Sequence, residues 1–445
     1  MSVSREPDRK PFEISNRTVL HLAVPITLAY ISTPLLGLID TAVVGQFGDP
    51  ALIGGLAVGA IIIDLVFTTF NFLRGGTSAL TAQALGADDE KEKQAVLFRA
   101  MAIAIGSGII MVLVSLPILW AGLWFMSPGE KVAEATTTYF LIRMLSAPFT
   151  LGNYVILGWL LGIGRSGTTL AVQLLLNGVN IALSIYLGLW LEWQIEGVAI
   201  ATVIAEAVTF VIGGIICWRL LDYSIRPSLK RVVNKAALRR LTNLNADIMI
   251  RSLALLFAFA FFTAQGAAFG EVTLAANAVL LHFFFIAGYF LDGLATAAEQ
   301  IIGRAVGARY REGFWKGFYL TLFWNTVMAA ICTLAFWLAG PKLIALMSTS
   351  EEVRLAAQAY MVWAALIPLT GMLAFQLDGV FIGATWSRDM TIMMLVSVIC
   401  YLIIWQLVEE SLGNHGLWLA LHAFLILRGI TLCFRLAPRV KQTFG

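Results

Sequence analysis

The sequence predicts an all-α integral membrane protein, with twelve transmembrane helices in two pseudo-symmetric six-helix lobes. Three observations carry that prediction. The chain is 59% hydrophobic and only 13% charged, whereas soluble globular domains run about 25% charged. A helix needs ~20 apolar residues to cross a hydrocarbon core of ~30 Å, and twelve such runs lie at 18–45, 51–82, 95–124, 133–162, 167–190, 195–219, 246–269, 273–302, 315–340, 354–384, 389–408 and 414–436. The halves repeat at about 221 residues: Phe125-Met126-Ser127 returns as Leu346-Met347-Ser348, Tyr139 as Tyr360, and Gly158-Trp159-Leu160-Leu161-Gly162 as Gly379-Val380-Phe381-Ile382-Gly383. Parallel repeats of this kind, facing each other across one cavity, form the body plan of many secondary transporters. Strands are not indicated.

Residues 1–16 are polar and basic and lack a signal-peptide pattern, so they read as a cytoplasmic tail before an anchored first helix. Residues 17–221 form the N-lobe, 222–245 a cytoplasmic linker, 246–437 the C-lobe, and 438–445 a second cytoplasmic tail. With the N-terminus inside, the inner segments hold 23 Lys and Arg and the outer loops three, which orients both termini to the cytoplasm. The linker, with six of those cations, reads as a solvated tether, with an amphipathic helix near 235–244 as the other reading. Cys217, Cys332, Cys400 and Cys433 show no metal spacing and read as packing residues. Distribution of the cations by topology argues against nucleic acid as a partner, and the remaining partners expected are the bilayer and a small amphipathic organic substrate, met by a monomeric chain.

Charged groups within spans are expensive, so each is a functional candidate. In the first span Asp40 has no basic neighbour on its own helix beyond the cytoplasmic end. Removing a lone carboxylate from water disfavours its charged form, so that a proton gradient can load and unload it. In the fifth span Gln173, Asn177, Asn180 and Ser184 are spaced 4, 3 and 4 and share one helical stripe, read as the wall of a hydrated cavity. Thr202, Glu206 and Thr209 in the sixth span, and Asp64, Thr68 and Asn71 in the second, form similar stripes. For these two, cavity lining and interhelical hydrogen bonding stand equally. Asn153 in the fourth span joins the cavity candidates. The second half carries Asp292, Thr296 and Glu299 on one face of the eighth span, and Asp378 in the tenth, read either as a second cation site or as a tie between helices. Asp247 and Arg251, four apart, read as an intrahelical ion pair. Arg74 reads as snorkelling to the inner headgroups, and Phe283-Phe284-Phe285 as facing lipid, with the wall of an apolar substrate pocket as the other reading. No HExxH, GxSxG or paired-histidine pattern marks an enzyme.

The whole pattern resembles the multidrug and toxic compound extrusion (MATE) family, in its DinF branch. The resemblance runs from Val19 to Leu436 and is most specific in Pro34-Leu35-Leu36-Gly37-Leu38-Ile39-Asp40-Thr41-Ala42-Val43-Val44-Gly45, Leu80-Thr81-Ala82-Gln83-Ala84-Leu85-Gly86-Ala87, Gly158–Gly162, Asp247-Ile248-Met249-Ile250-Arg251 and 377–385. It implies a multi-pass inner-membrane efflux antiporter with no cofactor. It implies coupling through Asp40 with Asn180 and Thr202, and a first helix that bends at Pro25 on protonation. Ser184 stands where the family pattern places a second acid. A hard metal ion wants several charged oxygens, so a proton is the expected coupling ion and Na⁺ the alternative. Export of organic cations is expected, with organic anions, and then lipid-linked sugars, as rival cargo.

Overall fold

The computed structural model describes residues 12–445, so most of the expected N-terminal tail lies outside the described residues. Every regular element among them is helical. Ten helices are long and apolar enough to span a bilayer, and the pair Glu130–Met144 and Ala147–Gly162, bent by 52°, makes an eleventh span. The last helix, Ser387–Phe444, is 58 residues long and is divided at Gly413, whose φ of 51° and ψ of −131° interrupt the hydrogen-bond ladder. Its two arms are the eleventh and twelfth spans, so the architecture is the twelve-helix one the sequence predicts.

The two lobes differ in how their helices are built. Five of the first six spans are interrupted. The first breaks at Thr33, between Asn16–Ser32 and Pro34–Gly45, because Pro34 has no N–H to continue the ladder. The second breaks at Phe70 and Asn71, between Pro50–Thr69 and Phe72–Gly86. The third, expected as one run, breaks at Val114 into Glu90–Leu113 and Ser115–Met126. The fourth bends ahead of Pro148, and the fifth passes from the α-helix Ser166–Leu183 into a π-helix, Ser184–Trp190. In the second half Lys235–Ala268, Glu271–Gly307, Arg311–Met347 and Glu351–Gly383 run for 34, 37, 37 and 33 residues without such breaks. Pro25 sits within a continuous helix, and the discontinuity of the first span lies eight residues beyond it.

Lipid supplies no hydrophobic drive between helices, so close packing of small residues holds a membrane bundle together. The seam between the lobes follows that rule, with Ala79, Ala82 and Ala84 of the second span meeting Ala298, Gly303 and Ala305 of the eighth, all buried. The approach is closest at one end, where a Cβ on Gly86 would strike the Arg304 carbonyl oxygen and one on Gly307 would strike that of Gln83. These contacts exchange under the repeat, since 86 and 83 map onto 307 and 304. Gln83 Nε2 also donates to the Gly383 carbonyl at 2.8 Å, and Arg240 reaches Gln83 Oε1 at 2.5 Å.

The stretch read as a solvated tether is folded. Asn234 caps the helix that begins at Lys235, accepting from the Ala236 and Ala237 amides, and Leu241, Leu244 and Asn245 are buried. Arg99, buried on the third span, donates to the carbonyls of Arg231 and Val232 at 3.0 and 3.1 Å and meets Glu92 at 3.2 Å. The short helix Leu229–Val232 is thereby fixed to the first lobe, because a buried guanidinium needs acceptors and the helix end offers free carbonyls. Phe283 and Phe284 do not face lipid: both are buried in the second lobe's core with Phe262, Tyr401 and Trp418, leaving Phe285 exposed.

Candidate functional site

Asp40 lies six residues after the Pro34 break and is 8% exposed. Ser184, the first residue of the π-helical turn, donates from Oγ to Asp40 Oδ1 at 2.9 Å. A π-turn widens the helix and re-aims its side chains, and such turns recur at functional sites. The chain of bonds continues through Asn180: Ser184 Oγ lies 3.4 Å from Asn180 Oδ1, and Asn180 Nδ2 donates to Thr202 Oγ1 at 2.8 Å. Thr202 in turn donates to the Val198 carbonyl at 3.1 Å. Four sequence candidates on three spans are thus joined in one buried network. Arg143 lies within electrostatic reach of Asp40 but forms no ion pair with it among the described residues. Its guanidinium donates to Ser146 Oγ at 2.8 Å and rests over the Phe67 ring at 5.8 Å.

The other first-lobe candidates divide into separate groups. Asn153 Nδ2 donates to the Glu206 carboxylate at 2.7 Å and to its backbone carbonyl at 3.0 Å, both residues being buried. Gln173 donates to Asn177 at 3.0 Å, and Asn177 to Ser32 Oγ at 2.7 Å, which ties the fifth span to the first just before its break. Asp64 is exposed, within electrostatic reach of Arg143. Asn71 faces a different site, the cavity between the lobes.

That cavity encloses about 130 Å³ and is walled by Tyr30, Asn71, Arg74, Gly75 and Ser78 from the first lobe and by Arg251, Asp292, Thr296, Glu299 and Asp378 from the second. Two expectations are corrected here, and one left open between alternatives is resolved. Arg251 does not pair with Asp247; it meets Asp378 at 2.5 Å, while Asp247 accepts from Ser387 Oγ at 2.6 Å. Packing decides this, because the tenth span presents a buried carboxylate that gains more from a guanidinium than the residue one turn away does. Asp378 also accepts from Arg428, buried in the last span, so it ties the seventh, tenth and twelfth spans and is not a free cation ligand. Arg74 does not snorkel. It stacks 4.8 Å from the Tyr30 ring, and Tyr30 Oη bonds Thr296 Oγ1 at 3.0 Å across the seam. Tyr30 and Ser78 were not among the residues singled out in the sequence. The repeat holds the signal that finds them, because Tyr30 maps onto Arg251 and Ser78 onto Glu299.

The MatE family profile matches residues 25–186 and 248–405, a segment within each lobe. The chain belongs to the MATE family. MATE proteins are multidrug and toxic-compound efflux transporters that span the cell membrane many times, and they are not enzymes. DNA damage-inducible protein F of Escherichia coli is 36% identical over 94% of this chain and 91% of its own length. A probable multidrug resistance protein NorM of Caulobacter vibrioides is 28% identical over 96% of this chain and 89% of its own. Protein DETOXIFICATION 44, chloroplastic, of Arabidopsis thaliana is 25% identical over 95% and 82%. Among solved structures, a MATE protein crystallised in a bent conformation superposes with a TM-score of 0.89 at 16% identity, over 96% of both chains. Its straight conformation gives 0.88 at the same identity and coverage. These two likenesses concern the fold.

Proposed function

We propose that this MATE protein is a proton-coupled antiporter. It exports amphipathic organic compounds bearing a cationic group by alternating access, acting as a monomer with both termini in the cytoplasm. The observation that carries the reading is the bond from Ser184 to Asp40, which gives the carboxylate a neutral partner where a second acid would favour a metal ion. A single acid with hydroxyl and amide neighbours has the equipment to exchange a proton. A hard cation held there would meet one charge and a few neutral oxygens.

Asp40 is the coupling group, and Ser184, Asn180 and Thr202 orient it. Protonation removes a buried charge and releases the first span's hold on the fifth beside the Thr33 break. Cargo and proton then favour different states, which is the condition for exchange. Purified protein in liposomes tests this with a cationic dye and imposed proton or sodium gradients. Efflux should follow the proton gradient, and Asp40→Asn should abolish that dependence while the protein still folds. Sodium-driven efflux at constant pH, or an Asp40→Asn variant that keeps its proton dependence, sinks the proposal.

A further inference from the structure

We infer that the cavity between the lobes binds the head group of a zwitterionic organic solute, its anionic group on Arg74 and its cationic nitrogen on Glu299 and Asp292. The inference rests on the reading of the chain as an exporter of charged organic compounds, and it names the class of ligand that its interlobe cavity takes.

The cavity lies where the repeats face each other, so its walls should be chemically alike. They are not. Asn71 maps onto Asp292 and Ser78 onto Glu299, neutral against acidic, while Arg74 maps onto Ala295. The first wall therefore carries a guanidinium and no acid, while the second carries Asp292 and Glu299 in excess of its Arg251–Asp378 pair, a difference that the shared packing of the lobes does not require. The opposite charges are also left unjoined. Arg74 stacks on Tyr30 and lies within electrostatic reach of Asp292 and Glu299, yet it forms no ion pair with either among the described residues. Glu299 is 6% exposed, and its Oε1 has no hydrogen-bond partner. Asp378, on the same cavity, shows the contrast, since two guanidinium groups engage it.

Burying charges is costly unless each finds a partner with good geometry. Across this space of about 130 Å³ no ion pair joins the two poles among the described residues. A ligand with one charge satisfies one pole and is repelled by the other, which is discrimination by mismatch. A ligand with both charges satisfies both.

Two probes isolate the question: Nε-dansyl-lysine, which carries an α-ammonium and a carboxylate, and dansylcadaverine, which lacks only the carboxylate. Fluorescence titration of the full-length protein in liposomes should show the zwitterion bound ~10-fold more tightly, the scale of a charge-assisted guanidinium–carboxylate contact. Arg74→Gln should erase that preference, Arg74→Lys should keep part of it, and Glu299→Gln should weaken both probes. Equal affinity in the unmodified protein, no binding of either probe, or a preference that survives Arg74→Gln overturns the inference. Asp40→Asn separates this from the coupling proposal, since it should leave the binding preference intact while gradient-driven transport is lost.

Discussion

Replacing Ser184 with aspartate puts a second acid against Asp40 and asks the site to change its coupling ion. Ser184 Oγ stands 2.9 Å from Asp40 Oδ1, and both residues are buried. With the longer side chain accommodated, two charged carboxylates ~4 Å apart repel by about 4 kcal/mol at an effective dielectric of ~20. That repulsion equals roughly three decades in proton activity, at about 1.36 kcal/mol per pH unit. The pair must then keep one proton about three pH units higher than a lone acid would, or bind a cation between its oxygens, with Asn180 and Thr202 as further ligands. We expect Ser184→Asp to acquire sodium-stimulated efflux and to lose the dependence on a proton gradient alone. Ser184→Asn, neutral and nearly isosteric with the aspartate, should show neither change. The assay is dye efflux from proteoliposomes in sodium against choline buffers across a pH series. If Ser184→Asp kept the wild-type pH profile and ignored sodium, the serine would not govern the charge state of Asp40 and the coupling argument would fail.

Three further outcomes are expected. Asn153→Leu deprives the buried Glu206 carboxylate of its 2.7 Å donor and should cost about 1.5–3 kcal/mol, the scale of hydrogen bonds to charged groups, read as a lower melting temperature in detergent. Arg428→Met removes one of the two guanidinium groups on Asp378 and should destabilise the second lobe by about 1.5–3 kcal/mol, the scale of a hydrogen bond to a charged group; Asp378→Leu, which leaves both Arg251 and Arg428 without their acid, should cost more, and a smaller loss would refute the pairing. Gly86→Val drives a branched side chain into the Arg304 carbonyl. It should prise that end of the seam apart, seen as longer spin-label distances between the lobes together with slower efflux.

The fold was legible because the repeat and the apolar runs are properties of whole helices. The network around Asp40 was legible for a related reason, since spacings of 4 and 3 fix which side chains share a stripe whatever the stripe meets. Arg251 shows where such local reasoning stops. Helical spacing offered Asp247, and only the tertiary approach of the tenth span reveals Asp378 as the stronger partner. The helix interruptions show the same divide. Pro34, Pro117 and Pro148 announce theirs through a missing N–H, but nothing in the residues around Ser184 marks a break, because neighbouring helices impose it. The linker was misread as solvated because its cations suggest water. The acceptors that hold it are backbone carbonyls and the deciding donor, Arg99, belongs to another span.

The uneven distribution of helix breaks makes this a machine with one compliant half and one stiff half. Long unbroken rods in the second lobe resist deformation and serve as a stator, with the Arg251–Asp378–Arg428 rivet at its waist. Five jointed rods in the first lobe can flex at their joints while their ends stay seated. Under the proposed coupling, a change of charge at Asp40 would be taken up by motion of the jointed half, and the stator would give that motion something to push against.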